Sequence, residues 1–226
     1  MTETIAGKNP AAPLHVVIVL DRSGSMGQIR QSAISGFNAF LNRQRKEPGT
    51  ETTFISLYIF ADEAERLWSN VPVDRVSNLT PETYQPDGNT ALLDAIGTAI
   101  RETEQRQEGM VLVVVLTDGE ENASRHFGLV TVRDLVRQKI ESNWEFIWLG
   151  SDGRSKQFAI GLGIPTENIE LFKVTDEGIQ DSYDKISDSV SLKKQSGSTK
   201  GWKGDDSVTA ALGTNQAPGK KHSKKP

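Results

Sequence analysis

Five side chains have the types and spacing to hold a hard cation. In Asp21-Arg22-Ser23-Gly24-Ser25 a carboxylate and two hydroxyls fall at i, i+2 and i+4, directly after an apolar run. Gly24 permits a tight turn, and such a turn can aim all three oxygens into one space. Asp118 stands just past a second apolar run, Met110–Leu116. Thr90 follows the turn-forming stretch Pro86-Asp87-Gly88-Asn89 and is expected to head a helix. Two carboxylates and three hydroxyls make an all-oxygen set, which suits Mg2+, with Mn2+ or Ca2+ as substitutes, and not zinc or copper. Asp21 and Asp118 would repel each other across a shared crevice unless a cation lay between them. Each residue also has an ordinary role: Asp, Ser and Gly form turns, Thr caps helices and Asp-Gly closes β-turns.

Other chemistries find less support. The chain has no cysteine, which excludes disulfides, thiol catalysis and cysteine-bound metals. His15, His126 and His222 are too few for a multi-histidine site. Neither a Gly-x-Ser-x-Gly elbow nor a P-loop occurs. Two aspartates around Mg2+ would permit a phosphatase or nuclease as an alternative, and a scaffold with an unused metal site is another. Arg22 is the one basic residue inside the motif, and it points away if Asp21 and Ser23 point in. The sequence therefore reads as a binding module and not an enzyme. Glu120, Glu121 and Asp87 are expected to surround the site with solvated negative charge.

Positioning such a set requires strands that end at one edge. Leu14–Leu20 is a near-continuous β-branched run, the pattern of a strand buried on both faces. A helical period follows at Ile29, Ala33, Ile34, Phe37, Phe40 and Leu41. Residues 53–61 predict a second strand and 67–73 a short antiparallel edge strand, with Pro72 suited to the edge. Helices are expected around 92–100, 132–140, 155–162 and 179–190, and further strands at 110–116, 144–149 and 169–174. This alternation predicts an α/β fold: a Rossmann-like, doubly wound, mostly parallel six-stranded sheet with helices on both faces. In such sheets ligands bind at the carboxyl ends of the strands, where the strand order reverses.

Residues 1–13 read as a flexible lead-in, 14–190 as the domain and 191–226 as a disordered tail. The net charge of −4 hides an uneven distribution. From Ser191 onward there are eight lysines and two aspartates, a net +6, against −10 for the rest. An acidic body disfavours nucleic-acid binding, except weakly through the basic 191–226 tail. The longest apolar run has seven residues, far below the ~18 of a membrane span. A soluble, cytoplasmic protein without membrane contact is the expectation.

The motif Asp21-x-Ser23-x-Ser25, with Thr90 and Asp118 following in that order, resembles the complete metal-ion-dependent adhesion site of von Willebrand factor A domains. The resemblance spans residues 14–190. Ser35–Asn38, Asn89–Asp94 and Thr117–Glu120 are similar to stand-alone bacterial and phage-borne members. The resemblance implies Mg2+ held directly by Ser23 and Ser25. Thr90, Asp21 and Asp118 would bind it directly or through water. One position stays open for a partner's Asp or Glu. By analogy alone, such a partner could belong to an ATPase or kinase system.

Overall fold

The computed structural model describes residues 12–105 and 109–203. The strands are β1 (Leu14–Asp21), β2 (Thr53–Phe60), β3 (Ala64–Pro72), β4 (Met110–Thr117), β5 (Glu145–Gly150) and β6 (Ile169–Leu171). The helices are α1 (Arg30–Gln44), α2 (Leu92–Glu104), α3 (Leu129–Glu141), α4 (Gly153–Gly161) and α5 (Asp176–Ser196). One six-stranded sheet has the order β3-β2-β1-β4-β5-β6. Only the β2–β3 pair is antiparallel. This is the doubly wound α/β sheet that the alternation of elements predicts.

The two faces explain why β1 is apolar without interruption. Side chains alternate across a strand. Val16, Ile18 and Leu20 pack under α1 and α5, while Val17 and Val19 pack under α2 and α3. All eight residues of β1 are buried. The stripe Ala33, Ile34, Phe37, Phe40 and Leu41 seats α1 on the first face. Each such side chain stabilises the fold by about 1.5–3 kcal/mol. Where α1 meets α5, Gly36 lies so close to Tyr183 that an added Cβ would fall 2.3 Å from its ring.

Several boundaries differ from the sequence expectation. The edge strand β3 has nine residues instead of a short run. Its first half carries Glu65 and Arg66, both exposed, so no apolar signal marks it. Helix α5 continues to Ser196, past the 190 boundary, and Thr199 and Trp202 beyond it are buried. Lys193, only 1% exposed, donates to Glu145 at 2.9 Å, and Glu145 also accepts from Ser198 and Thr199. That cross-chain anchor holds a polar segment that has no apolar period of its own. The rest of the expected tail, 204–226, and residues 1–11 of the lead-in lie outside the described residues. No described helix is long and apolar enough to cross a membrane.

Candidate metal centre

β1 and β4 are parallel neighbours, with Leu20 opposite Leu116. Asp21 and the Thr117–Asp118 pair therefore emerge side by side, at the point where the chain winds to opposite sides of the sheet. Asp21 closes β1 instead of opening the loop, and it is fully buried. Its Oδ1 accepts the Ser23 backbone N–H at 2.6 Å, and its Oδ2 accepts the Thr117 hydroxyl at 2.5 Å. The Tyr84 hydroxyl donates to the Asp21 carbonyl at 2.5 Å. The Ser23 and Ser25 hydroxyls lie 3.2 Å apart, and Ser25 donates to Asp118 Oδ1 at 2.6 Å. One run of contacts thus links four of the five expected residues.

Thr90 is the fifth. A Cβ on Gly119 would lie 3.0 Å from Thr90 Oγ1 and 3.5 Å from Asp21 Oδ2. The glycine keeps open a small cradle between those oxygens. The ordinary role of a helix cap does not fall to Thr90, since α2 begins at Leu92. The capping comes from the loop after β4. Glu121 accepts the Leu93 N–H at 2.8 Å, and Ser124 Oγ accepts the Asp94 N–H at 3.0 Å. With its side chain released from capping, Thr90 Oγ1 can serve the cradle.

Glu121 is accordingly not a solvated loop charge. It also accepts the Ala123 and Ser124 N–H groups and the Ser124 hydroxyl. Glu120 pairs with Arg154 at 2.5 Å. Asp94, in return, accepts the backbone N–H groups of Arg125, His126 and Phe127 at 2.8–2.9 Å. Thr117, Asp94 and Asn122, whose Oδ1 accepts the Thr90 N–H at 2.8 Å, were not among the expected site residues. Thr117 had a usable signal, because it directly precedes Asp118. The other two act across loops, which no local spacing reveals.

Arg22 reaches the Gln85 carbonyl at 3.4 Å and Glu65 at 3.7 Å, away from the cluster as expected. Burial pushes the Asp21 carboxyl up to about 6, against the hydrogen bonds from Ser23 and Thr117, and the Asp118 charge adds to the rise. Burial raises Asp118 as well. Two carboxylates strained in this way would gain from a hard cation among the hydroxyls. Among the described residues no group of three or more His, Asp or Glu converges; this cluster has two carboxylates and three hydroxyls. His15, 8% exposed, stacks on Phe54 at 5.3 Å, a core position.

The von Willebrand factor type A domain family model matches residues 15–185. No curated protein matches the chain. Solved structures share the fold at low identity. The von Willebrand domain of the type V pili tip protein Mfa5 from Porphyromonas gingivalis is 12% identical, with a TM-score of 0.66, covering 82% of this chain and 97% of that one. The PilB minor pilin from Streptococcus sanguinis is 13% identical, with a TM-score of 0.62, covering 85% and 63%. Proximal thread matrix protein 1 from the mussel byssus, with a zinc-occupied MIDAS motif, is 18% identical, with a TM-score of 0.59, covering 78% and 45%. The chain spans less than two thirds of the length of the pilin and the byssus protein. At these identities the likeness concerns the fold alone.

Proposed function

Because this chain belongs to the von Willebrand factor type A domain family, we propose that it is a Mg2+-dependent protein-binding module. Asp21, Ser23, Ser25, Thr90 and Asp118 hold the ion, and a partner's Asp or Glu carboxylate completes the site. The observation that carries this reading is the pairing of two carboxyls with raised pKa and three hydroxyls around one glycine-lined cradle. When bound, the cation supplies the positive charge that draws an incoming carboxylate. Asp21, fixed by Ser23 and Thr117, sets the floor of the site. Exposed Ser25 and half-buried Asp118 form its outer lip, where a partner has access.

Adhesion and pilus proteins among the similar folds support an interaction role. Arg22, the basic residue inside the motif, turns to Gln85 and Glu65 and away from the site; catalysis is not part of the proposal. The bacterial or phage-borne, cytoplasmic setting expected from the sequence is part of it, and cell fractionation tests it. So is a tail beginning beyond the α5 anchor. The central test is capture of partners from lysate with Mg2+ or with EDTA, using wild type and Asp21→Ala. Partners lost both with EDTA and in the variant support the proposal; identical partners in every arm overturn it.

A further inference from the structure

A second recess adjoins the cradle on its β5 side. It has a volume of about 180 Å³ and is lined by Leu92, Gly119, Trp148, Arg154, Ser155 and Phe158, among others. Gly119 is common to both: one side faces the Thr90 and Asp21 oxygens, the other this recess. Leu92, Trp148 and Phe158 make the recess mostly apolar, and the charged Glu120, Glu121 and Arg154 also line it. Trp148 is fully buried, and its indole N–H is satisfied by Ser155 Oγ at 2.9 Å. An apolar cavity of about 150 Å³ accommodates a benzene ring. Arg154, with a side chain 77% exposed, stands at the mouth in its ion pair with Glu120.

The surroundings point the same way. Leu129 and Val130, at 43% and 57% exposure, open α3 directly after the β4 loop. Leu171, at 42%, ends β6. In a parallel sheet all three stand at the carboxyl edge, the edge that carries Asp21 and Asp118. This end of the domain thus exposes apolar side chains around a charged centre, the composition of a protein-binding face.

We propose that the recess is a specificity pocket, which takes an apolar side chain (Leu, Ile or Phe) adjacent in the partner's chain to its metal-binding Asp or Glu. The proposal rests on the metal reading above for the neighbouring carboxylate, while the recess itself can be probed without it. The test uses the full chain and the indole N–H resonance of Trp148, assigned with Trp148→Phe. Benzyl alcohol, a neutral probe, should shift that resonance with or without Mg2+. Arg154→Trp, at an exposed position that leaves the core intact, should fill the mouth and abolish the shift. In Mg2+, acetyl-Asp-Phe-amide should bind about tenfold tighter than acetyl-Asp-Gly-amide, the gain of partly burying one ring. Arg154→Trp should erase that difference between the two peptides. An unmoved Trp148 resonance, or equal affinities for the two peptides, overturns the pocket. If benzyl alcohol binds and neither peptide does, the metal reading fails while the apolar recess stands.

Discussion

Thr90 and Asn122 are paired reciprocally. The Thr90 N–H donates to Asn122 Oδ1 at 2.8 Å, and the Asn122 N–H donates to the Thr90 carbonyl at 3.1 Å. Glu121 and Asp94 extend this bond into a lock, each carboxylate gripping backbone N–H groups of the opposite segment. The loop before α2 and the loop after β4 therefore form one piece. Thr90 and Asp118 keep their separation because neither loop can move without the other.

Breaking the lock should loosen the site without touching it. Glu121→Ala removes the acceptor for the Leu93, Ala123 and Ser124 N–H groups. Loss of a cap costs about 0.5–2 kcal/mol, and outer-shell losses lower metal affinity about 10–100-fold. Titration calorimetry with Mg2+ and thermal melts read the two effects separately. Glu121→Gln, which keeps one acceptor oxygen, should fall between wild type and Ala.

Gly119→Ala should act on the cradle itself. The new Cβ would crowd Thr90 Oγ1 and Asp21 Oδ2. The backbone there is not in the left-handed region, so the fold should persist, at an overpacking cost of about 1 kcal/mol. Mg2+ affinity should drop at least about tenfold, in the range that mutations near metal ligands produce. Unchanged Mg2+ affinity in a folded Gly119→Ala protein would place the ion elsewhere.

The Asp21 shift gives a pH signature. Its folded pKa, about 6, lies above its ordinary value of 3.8. The folded state thus holds this proton more firmly than the unfolded chain. The corresponding stability is fully present below pH 3.8 and is lost as the pH rises through 6. Without metal, Asp21→Asn, which cannot titrate, should therefore remove this group's share of the stability loss between pH 4 and 7.5. With Mg2+, wild type should gain more in Tm at pH 7.5 than at pH 5.5, and the variant should gain little at either. Thermal melts in EDTA and in Mg2+ at the three pH values make the comparison.

What the sequence showed of this molecule follows from how local each signal is. The uninterrupted Leu14–Leu20 run marks a two-sided strand, and Asp21, Ser23 and Ser25 follow from it directly. Thr90 reads as a site hydroxyl with a helix cap as its ordinary alternative; what removes that alternative, the Glu121 cap, stands 28 positions from Leu93. The outward half of β3 was illegible because Glu65 and Arg66 at an edge carry no apolar alternation. Lys193 was illegible for a different reason. Lysine is rarely buried, and only its partner across the fold makes this one an exception.

That partner makes the lower end of α5 the most exposed to single mutation. Lys193 is buried, and its ammonium meets Glu145 at 2.9 Å. Burial pushes the Glu145 carboxyl up, but the Lys193 and Ser198 hydrogen bonds and the Lys193 charge outweigh it and hold it below the usual carboxylate range. Stability from this group is therefore present above pH 4.5 and is lost as the pH falls through the lowered folded value. Lys193→Ala leaves Glu145, partly exposed and still bonded by Ser198 and Thr199, without its cation and should cost about 1.5–3 kcal/mol, the worth of a hydrogen bond to a charged group. Replacing both partners, as Lys193→Met with Glu145→Gln, should recover most of that, because an apolar side chain of similar volume tolerates the site and a neutral amide needs no counter-charge. Urea unfolding of the wild type and the two variants makes the comparison. A double variant no more stable than Lys193→Ala would show that the ion pair itself, and not the lysine's aliphatic packing, seats the helix end.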